Sequence, residues 1–190
     1  MSEVRAIDNA CTDEPARTLF VRHLGQRFDQ LPPVVARLHS ARLPVRCCGE
    51  VSIEPAPGRW IRLLARLAGL PSRTVHGPIR LVIEADRQGQ CWIRHFPGHT
   101  MRSRLRLRGT ELVERLGPAT LRFRLQVSER GIEWCPSGLR LLSLPLPLSW
   151  ARHIGGSEQQ SEDGRYLFDA YGGLPVLGRL VRYHGWLHVD

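Results

Sequence analysis

From residue 45 onward, apolar residues recur at every second position in short runs, and the runs stop at glycine, proline or an Asp-Gly pair. The clearest case is 121–127, where Leu121, Phe123, Leu125 and Val127 alternate with Arg122, Arg124 and Gln126. A period of two puts these sets on opposite faces of a strand. A slip of one residue would bury two arginines, so the register is firmly set. A chain patterned this way has to build a sheet with one apolar side.

Further strands are expected at 45–53, 79–86, 91–96, 100–108, 131–134, 150–162, 165–171 and 179–189, with turns at 87–90, Pro97-Gly98 and Asp163-Gly164. Residues 138–147 are apolar but interrupted by Pro145 and Pro147, which suits an edge. Residues 111–117 read as a short helical connection.

The first third is different. Residues 1–13 are polar and aperiodic, a flexible tail by expectation, with a single domain over 14–190. Thr12 or Asp13 can cap a helix that has Pro15 in its first turn and carries Leu19, Phe20, His23 and Leu24. A second helix starts at Pro32-Pro33 and buries Val34, Val35 and Leu38. A third runs over 59–68, stopped by Gly69 and Pro71. Its apolar stripe of Trp60, Ile61, Leu64 and Leu67 is expected to face the core rather than a membrane, with Arg59, Arg62 and Arg66 on the basic side. The expected fold is α+β: a curved antiparallel β-meander or half-barrel of about eight strands wrapped on N-terminal amphipathic helices, a fully closed barrel being the alternative.

The net charge of +9 comes from arginine, since none of the 27 basic residues is a lysine. Guanidinium suits two-pronged contacts with carboxylate or phosphate, although net charge by itself bears on solubility and non-specific association. Five cysteines, an odd number without a CxxC pair, signal neither a zinc nor a disulfide framework and fit a reducing compartment. Cys47 and Cys48 are neighbours on a strand and should split, one buried and one exposed. No stretch approaches the ~18 apolar residues of a membrane span, and there is no apolar leader, so the expected location is cytoplasmic.

Candidate site residues follow from strand parity. Trp92, Arg94 and Phe96 share one strand face, which sets a guanidinium between two aromatic rings. Cation–π stacking there is worth ~0.5–2 kcal/mol, and a partly buried arginine also needs an anion. That anion is either internal, Glu84 or Glu114, or the acidic group of a ligand at the mouth of an apolar cavity. Tyr183, His184 and Trp186 surround Gly185 on the last strand and either border a pocket or close the core. Arg102, Arg104, Arg106 and Arg108 share a face of one strand, and Arg122 and Arg124 a face of the next. If those strands pair they form a basic patch. It lacks the interleaved aromatics on which bases stack, so nucleic acid is not favoured. No metal set, no GxSxG, no Cys-His pair and no paired carboxylates stand out, and no cofactor is expected.

The landmarks, in order, are Leu24-Gly25 with Phe28; Leu31-Pro32; Leu38-His39; Leu70-Pro71; Trp92, Arg94 and Phe96; Ser103; then Glu114-Arg115-Leu116-Gly117-Pro118. They continue with Leu144-Pro145-Leu146-Pro147, Asp163-Gly164-Arg165, Phe168-Asp169, Leu174-Pro175, Gly178, Tyr183 and Gly185-Trp186-Leu187. This series resembles a bacterial group, the domain-of-unknown-function family 4166. The segment Gly155-Gly156-Ser157-Glu158 departs from the family pattern and is given no role. The resemblance implies a compact domain that in some members adjoins a saccharopine-dehydrogenase-like domain. This chain has no GxGxxG after a strand, so a dehydrogenase partner would act in trans.

The functional expectation is a binding or accessory domain that shelters a small apolar or amphipathic anionic ligand, with Trp92, Arg94, Phe96, Tyr183 and Trp186 among the contacts. Two alternatives stand beside it. One is an enzyme of undetected class that uses His39, Glu114 or His99 in the same cavity. The other is a basic surface adaptor for membrane or nucleic acid, built on Arg59, Arg62 and Arg66 with Arg102, Arg104, Arg122 and Arg124.

Overall fold

A computed structural model describes residues 18–67, 69–175 and 177–189, without the side chains of Ile61, Leu64 and Leu67. The expected tail over 1–13 and the cap at Thr12 or Asp13 lie outside the described residues. Two helices, α1 (Leu19–Leu24) and α2 (Pro33–Ser40), flank a 3₁₀ turn at Gly25–Gln30 and precede the sheet. Pro33 starts α2, where its missing N–H costs nothing, and Val34, Val35 and Leu38 form the buried face. Gly25 ends α1 at φ +54, a conformation that glycine adopts without strain.

The strands are β1 (Val45–Pro55), β2 (Val75–Asp86), β3 (Gly89–Phe96), β4 (His99–Arg108), β5 (Glu111–Leu116) and β6 (Ala119–Ser128). After them come β7 (Gly131–Leu141), β8 (Leu144–Leu146), β9 (Gly155–Gln160), β10 (Tyr166–Leu174) and β11 (Gly178–His188). Helix α3 (Arg59–Leu67) follows β1, and the single turn α4 (Leu148–Ala151) follows β8.

The half-barrel expectation is overturned. Ten strands close in the order β6-β5-β4-β3-β2-β1-β11-β10-β9-β7, and β7 pairs back onto β6, so the sheet is a closed antiparallel barrel with β8 as an extra strand. Two long-range pairings, which alternation alone does not reveal, complete the ring. One joins β1 to β11, with Val51 opposite Gly185. The other joins β7 to β9, with Trp134 opposite Gly156. Closure satisfies the edges that an open sheet would expose. The residues expected as a helical connection form β5, because Gly109 at φ +60 and Gly117 at φ +52 turn the chain tightly at both ends and β4 and β6 hydrogen-bond it from either side.

β7 serves two partners along one edge: Gly131–Trp134 pairs with β9, and Leu139–Leu141 pairs with β8. Between them the register against β6 shifts, and Ser137 is the extra residue of the bulge. Inside the wall the parity holds as read: Leu121, Phe123 and Leu125 are buried while Arg122 and Arg124 are exposed. Cys47 is buried and Cys48 exposed.

The two ends of the barrel differ. The helices that lead into β1 plug one end, where Phe20 stacks on His39 with ring centroids 3.7 Å apart and also meets Trp92 and Trp134. At the other end lie α3 and the turns after β3, β5, β7 and β10, while α4 lies between β8 and β9 alongside the middle of β7. Trp60 on α3 is 79% exposed, which corrects the expectation that it packs in the core. Among the described residues, no helix is long and apolar enough to cross a membrane.

Candidate functional site

Inward parity from the strands leaves a cavity of about 390 Å³ inside the barrel. Its walls are apolar, with Leu81, Met101, Leu121, Phe123 and Val181 among them, and Leu70, Pro118, Leu141 and Leu174 stand where it opens between strand ends. The volume lies within the usual range of small-molecule sites, ~300–1,000 Å³. Few polar groups interrupt this lining, and they fall into two clusters.

The first cluster centres on Arg94. Its place on β3, opposite Leu81 on β2 and Met101 on β4, turns it inward to line the cavity. The Nη1 group donates to Ser103 Oγ at 3.0 Å, Glu114 Oε1 lies 3.8 Å away, and the guanidinium carbon sits 5.0 Å from the centre of the Trp92 ring. The Glu114 contact is an ion pair beyond hydrogen-bond length. Burial disfavours the charged guanidinium, but Tyr183, Glu114, Tyr166 and Glu158 outweigh it and hold its pKa above the ordinary value. Arg94 therefore stays a cation. Burial, with Glu114 and Glu158 nearby, raises the Tyr183 pKa against the opposing pull of Arg94, so its hydroxyl keeps its proton.

The second cluster forms the floor. Glu158 on β9 is 5% exposed and takes hydrogen bonds from Trp134 Nε1 at 3.1 Å and from the Tyr166 hydroxyl; His39 Nε2 lies 2.5 Å from its other oxygen. Burial, then Glu158, push the Tyr166 pKa well above the tyrosine norm. Trp134, Glu158 and Tyr166 line the cavity, whereas His39 lies behind Glu158 under Phe20. A buried carboxylate with this many donors is fully satisfied, as low-dielectric surroundings require.

The candidate residues do not all converge. Trp92, Arg94 and Tyr183 line the cavity. Phe96 is buried beside it instead, packed edge-on against Tyr183 and parallel to His99, so the guanidinium is stacked on one ring and not two. Trp186 has the opposite parity to Tyr183 and Leu187. It lies on the outer face against His188, under the guanidinium of Arg165.

Strands β4 and β6 are not neighbours. β5 separates them, so Arg102, Arg104, Arg122 and Arg124 form a wall face crossed by Glu111, which pairs with Arg122 and Arg124 at 3.6 and 4.0 Å, while Asp86 pairs with Arg104 at 3.5 Å. Of the three groups offered for an enzyme, Glu114 lines the cavity, His39 lies beneath its floor, and His99 bonds to the Gly69 carbonyl at the rim.

Glu158, Trp134 and Tyr166 escaped the sequence reading. The glycines before Glu158 erase the alternation that would have marked it as inward-facing, while Tyr166, Phe168 and Ala170 do share a parity that could have flagged Tyr166.

The matching family is described as Domain of unknown function (DUF4166), and its match spans residues 31–187. The chain belongs to this family. Comparison with curated proteins and with solved structures found no match. The span matched to DUF4166 takes in every strand, apart from the last residue of β11, and both polar clusters, whereas α1 with Phe20 lies before it.

Proposed function

We propose that the barrel binds a small amphipathic anion, its apolar part in the cavity and its acidic group on Arg94. The observation that carries this reading is a permanently charged, five-donor guanidinium set into a mostly apolar cavity, with one bond to Ser103, a long contact to Glu114, and Glu158 engaged by its own donors on the floor. Charge-assisted, two-pronged bonds to carboxylate, sulfonate or phosphate are strong in such surroundings. The barrel is the scaffold; the chemistry rests on this one side chain.

Anilinonaphthalene sulfonate, an apolar bicycle carrying an anion, serves as the probe. Wild type should bind it, and Arg94→Lys, which keeps charge but loses the fork, should bind it less well. Paired removal of both charges in Arg94→Met/Glu114→Gln avoids stranding a buried carboxylate and should weaken binding by about ten- to a hundredfold, the worth of a bond to a charged group. Native mass spectrometry of the purified chain gives a second readout. Undiminished probe binding by a folded double variant would sink the assignment of Arg94.

A further inference from the structure

The large apolar side chains left exposed are not scattered. Among the described residues they are Trp60 and Leu63 on α3, Leu141, Leu142 and Leu144 in the β7–β8 hairpin, Leu148 on α4 and Tyr171 near the end of β10. Of these, Trp60, Leu63, Leu141, Leu142 and Leu144 sit at the end where the cavity opens. Trp60 is 79%, Leu142 73% and Leu144 69% exposed, and apolar groups gathered on one face mark an interaction site more often than chance.

The charge at this end is one-sided as well. A groove beside Trp60 and Leu63 is lined by Arg59, Arg62, Arg66 and Arg73, and none of the four is ion-paired among the described residues. The surface carboxylates toward this end, Glu54 and Asp169, are already held by Arg179 at 3.0 Å and Arg182 at 2.6 Å. At the plugged end the turns carry the acids Asp86, Glu111, Glu129, Glu162 and Asp163 beside the arginines Arg87, Arg108, Arg130 and Arg165, so the two signs offset one another there. The molecule thus presents an apolar, unopposed basic rim at one end only.

We propose that this rim docks on the surface of an anionic phospholipid bilayer, with the Arg59–Arg73 groove on lipid phosphates and Trp60 and the β7–β8 leucines in the headgroup layer. A bilayer offers phosphate and hydrocarbon at adjoining depths, the two chemistries the rim combines, and it needs no fixed shape from apolar groups that come from separate elements. Tryptophan favours that interface because its ring is apolar and its N–H polar. Arginines near an anionic surface add attraction that salt screens. The docked barrel would have its open end against the lipid. This inference goes beyond the cavity reading and does not depend on what the cavity holds.

The test is co-sedimentation of the full chain with phosphatidylcholine vesicles, with and without phosphatidylglycerol, at low and high salt. Wild type should bind the anionic vesicles at low salt and be released at high salt. Arg62→Glu/Arg66→Glu and Leu142→Ser/Leu144→Ser should each weaken binding by about tenfold or more with unchanged thermal melts, since all four side chains are exposed. Arg102→Glu/Arg104→Glu on the wall should bind nearly as wild type does. The proposal falls if folded wild type ignores anionic vesicles. It falls equally if the wall variant loses as much as the rim variants, or if the chain is a dimer that Leu142→Ser/Leu144→Ser dissociates, because the rim is then a contact between copies.

Discussion

At one end of the barrel Phe20, Val35 and Leu38 are buried on the inner faces of the N-terminal helices, while at the other Trp60, Leu142 and Leu144 stand in solvent, although the same strands run between. The wall follows one rule, apolar in and polar out, with few exceptions: Arg94, Glu114 and Glu158 turn inward, and Val82, Ile93 and Trp186 turn outward. The ends follow none, because a barrel's rim is finished by whatever precedes, follows or connects its strands. Here the segment before β1 supplies an apolar plug, and the connections at the far end supply arginines and leucines. Alternation therefore decides what a wall residue does, and connectivity decides what an end does.

The plugged end should be the expensive one to disturb. Phe20 is fully buried among His39, Trp92 and Trp134, so Phe20→Ala should destabilise by ~3–5 kcal/mol in urea melts as a large-to-small core change. A loss below about 1 kcal/mol would mean the helix is an ornament and not a plug.

The floor gives an intermediate and pH-dependent effect. Burial first, then Glu158, raise the Tyr166 pKa well above 10.0, and burial raises Tyr183 too. In the unfolded chain these tyrosines ionise near the ordinary value, while the folded chain keeps both protons. Unfolding then releases protons once the pH passes about 10, so stability is fully present below that and falls as the pH climbs toward the folded pKa values. The slope reaches ~1.4 kcal/mol per pH unit for each tyrosine. Tyr166→Phe should flatten the alkaline limb; an unchanged slope would argue against a sealed floor.

The smallest effects should lie on the rim and the wall. Trp60→Ser and Arg122→Ala each alter an exposed side chain and should shift stability by no more than about 0.5 kcal/mol. If Trp60→Ser costs as much as Phe20→Ala, the contrast between the ends collapses.

Legibility from sequence tracked the same divide. Strand faces at 121–127, the Cys47–Cys48 split, the α2 core face and the inward Arg94 could all be read because two- and 3.6-residue periods are local. Closure could not, since nothing within β1 names β11 as its partner across 130 or so intervening residues. The six residues of β5, with Glu111, Glu114 and Arg115 spaced among apolar ones, show the pattern of a short helix until the flanking glycines are weighed. Trp60 falls in the apolar stripe of α3 by spacing, yet the helix buries Ala65 and leaves Trp60 in solvent. Trp186 was grouped with Tyr183 by proximity in sequence, where parity should have separated them.

The β1–β11 seam also sets an order of events during synthesis. β1 through β6 can pair in sequence as a meander while the chain is still being made, but the ring stays open until β11 has been translated. Through that interval β1 shows a bare edge, able to accept a stray strand from another nascent copy. The acids and arginines on the outer faces would then act as guards for a half-made molecule, and crowding on a polysome, more than heat, would be its point of greatest exposure.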